Sequence, residues 1–373
     1  MRALIAGGGT AGHINPAIAI ANKIKEQNPD AEILFAGRKK GMEARLVANA
    51  GFNFTPIEVR GFQRQFSFRN LKNNLLAIVC LVTSQFAARK IIRNFKPDVV
   101  IGTGGYVSGP VVMQASRMGI KTVIHEQNAF AGVTTKLLSP RVDVALLAVE
   151  AAAKYLDKSC KHVTVGNPIR DSILTANRQK AREKLGIGDR ICILSFGGSL
   201  GAARVNEAVA ELMKWHTQTD RFYHIHATGA YEKESFPKLL DKLGVDKSSP
   251  SLDIREYIDD MPDCIAAADI MICRAGAITL SEIEAAGKAS ILIPSPNVAE
   301  NHQYHNAMVL ANAGAAVVIE EKDLTGDKLS ETFRELTNDK ETLIQLGVNA
   351  SKLAVIDSSD RIYAEILKVL SSK

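Results

Sequence analysis

The sequence has no apolar run long enough to span a bilayer, so no segment reads as a transmembrane helix. Cysteine is scarce. Cys80, Cys160, Cys192, Cys264 and Cys273 are widely spaced and form no C-x-x-C pair, which excludes a disulfide framework and a thiolate zinc site. Cys192 and Cys273 fall in apolar strand-like runs and are expected to be buried thiols. No D-x-D occurs, so no carboxylate pair is available to hold a divalent metal on a nucleotide diphosphate, and neither metal nor cofactor is expected. The amino terminus lacks the small-residue cleavage site of a secretory signal and runs directly into a strand pattern, which predicts a cytosolic start. Acidic residues are missing from Val59 to Pro97, whereas Arg60, Arg64, Arg69, Lys72, Arg89, Lys90, Arg93 and Lys96 are present. Such a basic stretch suits a phosphorylated ligand, nucleic acid or an anionic membrane surface. No nucleic-acid reading motif accompanies it, so nucleic acid is not expected as a partner.

Short apolar runs alternate with longer helical patterns, the signature of α/β architecture with parallel sheets. One series of strands is predicted at Ala3–Ala6, Ile33–Ala36, Val99–Ile101, Thr122–His125 and Val144–Leu147. A second series is predicted at Ile191–Phe196, Tyr223–Ala227, Leu252–Arg255, Ile270–Cys273, Ile291–Ile293 and Val317–Ile319. Glycine-rich turns follow three of these strands: Gly7–Gly12, Gly102–Tyr106 and Gly197–Gly201. The first and third each begin a fresh series, which predicts two Rossmann-like domains, 1–166 and 167–356. Pro168 disfavours helix at Asn167 and marks the boundary. The last amphipathic segment, within 357–373, is expected to pack back on the first domain.

Gly7-x-Gly9-x-x-Gly12 matches a dinucleotide fingerprint, because glycines admit a phosphate to the backbone and to the helix start. The second predicted strand is followed by Arg38-Lys39-Lys40 rather than an acid, which disfavours NAD. His13 follows this loop. A helix start favours an uncharged imidazole, so His13 is either a general base or a histidine bonded into the turn. Gly102–Pro110 repeats the phosphate-cradle pattern, and His125–Asn128 puts four polar residues at a strand's carboxyl end, where α/β proteins bind ligands. Ser199 lies in a glycine loop expected to open a helix from Gly201. Arg170 is either a diphosphate ligand or one half of a surface ion pair. Thr279 and Glu282 have capping-box spacing, and the alternative for Glu282 is a ribose ligand. Asn301–Gln303 offers polar groups for sugar hydroxyls. Leu71, Leu75, Ile78, Val79, Val82 and Phe86 recur at helical spacing among the basic residues. With Phe62, Phe66 and Phe68 they suit either a buried helix or an interfacial one.

In order and over most of the chain, Gly8–His13, Gly102–Pro110, His125–Asn128, Gly166–Arg170, Gly197–Gly201, Arg274–Glu282 and Asn301–Gln303 resemble the MurG glycosyltransferases, which convert lipid I to lipid II in peptidoglycan synthesis. The resemblance implies a GT-B fold, with two Rossmann-like domains whose parallel sheets face an interdomain cleft. It implies inverting transfer of N-acetylglucosamine from UDP-N-acetylglucosamine (UDP-GlcNAc) to the 4-hydroxyl of the muramyl sugar of lipid I, with no metal. By the same resemblance, the donor would be held by Thr10, Ala11, Gly12, Asn128, Arg170, Ser199, the Ile258 backbone, the turn of Ala277, Ile278, Thr279, Leu280 and Ser281, Glu282 on the ribose, and Gln303 on the sugar. Gly9, Gly12, Gly104, Gly105 and Tyr106 would hold the acceptor diphosphate, with His13 as base. Phe66, Arg69, Lys72, Leu75, Val79, Val82 and Phe86 would rest on the anionic inner membrane from its cytoplasmic side. The sequence departs from the family at Ala11, where glycine is usual, and at His302, where some members have Gln. A UDP-GlcNAc 2-epimerase, a glycolipid synthase using diacylglycerol, an NADP-dependent reductase and a non-catalytic nucleotide-sugar sensor are the competing readings. Formation of the manno isomer without acceptor, nicotinamide fluorescence on binding, or binding without turnover would distinguish the epimerase, the reductase and the sensor.

Overall fold

In the computed structural model the backbone is described for residues 1–59 and 68–372; for 68–79 and 81 it is described without side chains. The chain divides into two compact units, Met1–Pro168 with Asp357–Lys373, and Ile169–Ile356. The division falls two residues beyond the expected boundary.

The first unit holds a seven-stranded parallel sheet: β1 (Arg2–Gly7), β2 (Glu32–Gly37), β3 (Asn53–Pro56), β4 (Val99–Gly104), β5 (Lys121–Glu126), β6 (Val144–Leu147) and β7 (His162–Thr164). Their order is β3-β2-β1-β4-β5-β6-β7. Side chains alternate between faces, and both faces are buried, as parallel sheets require. Ala3 and Ile5 pack with Ile14, Ile20 and Ile24 of the helix Ala11–Gln27, and with Ile362 and Ile366 of the last helix, Ser358–Ser371. Leu4 and Ala6 face the other way, toward Val107, Val111, Ala88 and Ile92. Lys23 pairs with Asp360 at 2.7 Å, and Ser358 Oγ donates to the Asn167 carbonyl at 2.6 Å, so the carboxyl-terminal helix is tied to the first unit by polar as well as apolar contacts. β3 and β7 were not predicted. They are short edge strands with mostly accessible side chains and carry no apolar run.

The second unit holds β8 (Ile191–Phe196), β9 (Phe222–Ala227), β10 (Leu252–Arg255), β11 (Ile270–Cys273), β12 (Ala289–Leu292) and β13 (Val317–Val318). Their order is β10-β9-β8-β11-β12-β13, again all parallel. In each sheet the strand order reverses at one place, between β1 and β4 and between β8 and β11. Open α/β sheets bind ligands beyond the carboxyl ends of the strands at such a switch point. The glycine turns after β1, β4 and β8 and the segment Arg274–Thr279 after β11 border these two places.

All five cysteines are free, and burial pushes the thiols of Cys192, Cys264 and Cys273 up to about 12. A polar chain runs through the second core. Ser195 Oγ lies 2.7 Å from both His224 Nε2 and His226 Nδ1, and His216 Nε2 lies 2.9 Å from His224 Nδ1. Burial lowers all three histidines, His216 to about 4 and His226 to about 3.

The basic segment forms the helix Phe68–Phe95. Ser84, Ala88 and Ile92 turn inward at a four-residue spacing, while Val82 and Phe86 are exposed beside Arg89, Lys90 and Arg93. Phe62 and Phe66 lie outside the described residues, as do the side chains of Phe68, Arg69, Lys72, Leu75 and Val79. Among the described residues no helix is long and apolar enough to cross a membrane.

Candidate functional site

At the first switch point the two glycine turns touch. Thr103 Oγ1 donates to the His13 carbonyl at 2.8 Å. Gly105, at φ +77°, approaches Gly8 so closely that a Cβ would lie 2.2 Å from the Gly8 carbonyl oxygen. The imidazole of His13 lies against the Cα of Gly104, where a Cβ would come within 2.7 Å of Nδ1. The packing therefore requires glycine at two successive positions, for space as well as for φ. Ala11, which replaces a family glycine, is the first residue of its helix and does not have positive φ, so the substitution places no strain on the loop.

Not every expected phosphate donor is available. The Gly104 N–H donates to Ser108 Oγ at 3.0 Å. The Gly9 N–H is directed at Glu43 Oε2, 3.4 Å away. Glu43 is buried beneath the loop and also accepts from the Arg38 N–H at 3.0 Å. Gly12, Gly105 and Tyr106 lie in helix first turns, where backbone N–H groups have no partner within the helix. These amides suit an anion. Tyr106 is exposed.

The polar run after β5 points mostly inward. His125, Glu126 and Gln127 are 1%, 3% and 2% exposed. Glu126 holds the turn that follows, accepting from the Asn128 N–H and Nδ2 at 3.1 Å each, from the Gly132 N–H at 2.9 Å and from Thr135 Oγ1 at 2.6 Å. Gln127 Oε1 lies 3.0 Å from His13 Nδ1, and Gln127 Nε2 lies 2.9 Å from His125 Nδ1. Glu43 was missed as a site residue, and Gln127 was read only as part of the polar run His125–Asn128, not as the partner of His13. Glu43 has little local signal, and Gln127 is separated from His13 by 114 positions.

At the second switch point the helix begins at Ala203 rather than Gly201, and Ser199 is exposed in the turn before it. That turn is held by β9's continuation: the Ala230 N–H donates to the Ser199 carbonyl at 3.2 Å, and a Cβ on Gly201 would lie 2.4 Å from the Thr228 carbonyl oxygen. The helix Ala277–Ala286 has Gly276 at its N-cap with no side-chain cap, so the predicted Thr279/Glu282 capping box does not form. Thr279 is the third residue of the helix, three positions past the N-cap, and cannot cap it. The first-turn amides of Ala277, Ile278 and Thr279 therefore have no intrahelical partner. No acidic residue lies in that turn, so its partial positive charge is not offset there.

Glu282 instead receives Arg170, through Nε at 3.0 Å and Nη2 at 2.7 Å on the same oxygen, Oε1. Burial raises the Glu282 carboxyl above its ordinary value, and Arg170 opposes the shift. Ile258 and Leu280 bury their side chains in one cluster with Ile169 and Ile283, so only their backbones can meet a ligand. Ser281 Oγ donates to the Ala277 carbonyl at 3.2 Å. Arg274 is committed to the carbonyls of Ile293 and Pro294 and to the Glu321 carboxylate. Gln303 Oε1 accepts from the Ser295 N–H at 2.8 Å, which orients its amide. Glu300 and Asn301 both have positive φ, 55° and 49°, just before the helix His302–Asn312. Consecutive non-glycine residues in this region store strain, which concentrates at functional sites. Among the described residues no three His, Cys, Asp or Glu side chains form a group able to hold a metal.

Comparison with known proteins bears on the whole chain. Residues 3–147 match the glycosyltransferase family 28 N-terminal domain, and residues 192–362 its C-terminal domain. The chain is 48% identical, over 100% of its length and 99% of the relative's, to the UDP-N-acetylglucosamine--N-acetylmuramyl-(pentapeptide) pyrophosphoryl-undecaprenol N-acetylglucosamine transferase of Acetivibrio thermocellus. It superposes on the crystal structure of Acinetobacter baumannii MurG with a TM-score of 0.78 and 29% identity, covering 98% of this chain and 99% of that one. A UDP-GlcNAc 2-epimerase from Neisseria meningitidis, bound to UDP-GlcNAc, gives a TM-score of 0.67 at 13% identity, covering 99% of this chain and 100% of the epimerase, a likeness of fold alone.

Proposed function

This chain belongs to the MurG family of glycosyltransferases, and from that premise we infer that it transfers N-acetylglucosamine from UDP-GlcNAc to lipid I, giving lipid II. The observation that carries the reading is family membership over the full chain, combined with a different set of polar groups at each switch point. The second unit supplies donor recognition. The Ala277–Thr279 amides and Arg170 take the diphosphate, Glu282 the ribose hydroxyls, the Ile258 backbone the uracil, and Gln303 the sugar. Ser199 completes the donor contacts of this unit. Arg170 pairs with Glu282, so donor binding exchanges partners: ribose hydroxyls donate to Glu282, and the guanidinium moves to the phosphates.

Gly12, Gly105 and Tyr106 bind the acceptor diphosphate through first-turn amides. The acceptor 4-hydroxyl oxygen attacks the anomeric carbon and passes its proton to His13, while the carbon–oxygen bond to UDP breaks and its electron pair leaves with UDP. The anomeric configuration inverts. Charge on the departing diphosphate is met by helix-start amides and Arg170 rather than by a metal. The exposed Val82 and Phe86, flanked by arginines and lysine, rest on the anionic cytoplasmic leaflet as a peripheral anchor.

Radiolabelled UDP-GlcNAc and a lipid I analogue, with and without chelator, test this directly. Disaccharide product in both arms is expected. Product lost on chelation overturns the metal-free step, and manno isomer formed without acceptor overturns transfer in favour of epimerisation.

A further inference from the structure

The hydrogen bonds behind His13 run in one direction only. The chain begins at the Gly166 carbonyl oxygen, which can only accept. His125 Nε2 lies 3.0 Å from it and must therefore carry a proton. His125 is buried, and burial lowers it below the ordinary imidazole value, so its ring is neutral and its Nδ1 is a bare lone pair. Gln127 presents one end of its amide to that lone pair at 2.9 Å, and the same end to the His125 carbonyl oxygen, also at 2.9 Å. Two acceptors converge there, so that end is the NH₂ group. The amide oxygen then faces His13, and His13 Nδ1, 3.0 Å away, must donate. Each link is set by the one before it, and reversing any link puts two acceptors or two donors face to face inside the protein, at a cost of ~1–3 kcal/mol.

Resting on the reading of His13 as the base, the geometry points to Gln127 as a positioning residue that, oriented by His125 and the Gly166 carbonyl, locks His13 in the Nδ1–H tautomer and keeps Nε2 as the proton-accepting atom. Nε2 makes no hydrogen bond among the described residues. The ring is held from behind by Gly104 and from its backbone by Thr103, so tautomer and orientation are set together. Once Nε2 takes the proton of the acceptor hydroxyl, both ring nitrogens are donors, and the Gln127 oxygen still faces Nδ1–H. The amide therefore holds the ring before and after proton transfer without titrating. A carboxylate at this position would attract the cationic ring and resist release of the proton.

The test combines imidazole ¹⁵N–¹H long-range correlation spectra of the full chain with steady-state kinetics. His13→Gln and His125→Gln spectra assign the two signals. The expected result is Nδ1–H at His13 and Nε2–H at His125. Gln127→Met, of similar length but without the amide, should return His13 to the Nε2–H form that predominates in a free imidazole. It should lower kcat ~10–100-fold, with KM for UDP-GlcNAc within about twofold, a part of the general-base contribution. An Nε2–H signal at His13 in the unaltered protein overturns the inference, as does a Gln127→Met protein with unchanged tautomer and unchanged kcat. Failure of the base reading looks different: His13→Gln would keep full turnover whatever the tautomer.

Discussion

At the carboxyl edge of the first sheet the polar groups are side chains bonded to one another, from Gly166 through His125 and Gln127 to His13, with Glu43 and Glu126 bracing the turns on either side. At the matching edge of the second sheet they are chiefly main-chain amides at a helix start, with ion pairs between Arg170 and Glu282 and between Arg274 and Glu321. The topology is the same: parallel strands, one reversal of order and glycine turns at it. What differs is how much of the polar inventory is preorganised. A site that moves a proton needs each donor and acceptor assigned before substrate arrives, because wrong tautomers cost rate. A site that binds a nucleotide can leave amides open and let one ion pair exchange on binding. On the proposed reading, two copies of one architecture divide chemistry from recognition.

The division breaks most visibly at His13. His13→Gln should lower kcat by ~10²–10⁴-fold while leaving UDP-GlcNAc affinity unchanged in calorimetry. A large loss of affinity instead would move His13 into the binding half of the comparison. Glu282→Ala should do the reverse. Loss of a charge-assisted contact to ribose of ~1.5–3 kcal/mol corresponds to roughly 10–150-fold weaker UDP-GlcNAc binding, with kcat at saturating donor little changed. Equal losses in kcat and affinity would show the two edges to be less separate than their hydrogen bonds suggest.

The second unit should also be the more acid-sensitive. His216, His224 and His226 are held neutral by burial, so their folded-state values lie below the ordinary 6.5. Their contribution to stability is complete above that value. It is lost as pH falls below it, because the unfolded chain then binds protons that the folded one excludes. Each histidine costs about 1.4 kcal/mol per pH unit in that window, which closes near 4 for His216 and near 3 for His226. Urea unfolding between pH 7 and 5 should show this slope, and His226→Phe, whose neighbour Phe236 already lies 4.5 Å from the ring, should flatten it. The smallest effect belongs to the exposed basic face of the helix Phe68–Phe95. Arg89→Gln should weaken sedimentation with phosphatidylglycerol vesicles about fivefold, or roughly 1 kcal/mol, and leave turnover of a soluble acceptor unchanged.

How much of this could be read in the sequence depends on distance along the chain. Strands with apolar runs buried on both faces, such as Leu4–Ala6 and Ile270–Cys273, announce themselves; β3 and β7 do not, because an edge strand needs no apolar run. The glycine turns were legible because phosphate-type loops are contiguous. Gln127 stood in a visibly polar run, yet its role depends on His13 and Gly166, partners brought near only by the strand order β1-β4-β5 and the chain beyond β7. Glu43 offered little locally, since its partners are the Gly9 and Arg38 backbone amides and the Arg38 guanidinium, whose meeting beneath the glycine loop only the fold shows. Thr279 and Glu282 had capping-box spacing with the wrong phase, because the helix starts at Ala277 and the cap falls to Gly276. Spacing gives a relation between two residues; only the fold says where the helix begins.

The contact between Gly105 and Gly8 bears on inhibition. A side chain of any size at 105 would strike the opposite carbonyl and also face an unfavourable φ. An antibacterial compound anchored on that amide would therefore meet a target with little room to evolve away from it, since escape at the point of contact would dismantle the turn itself.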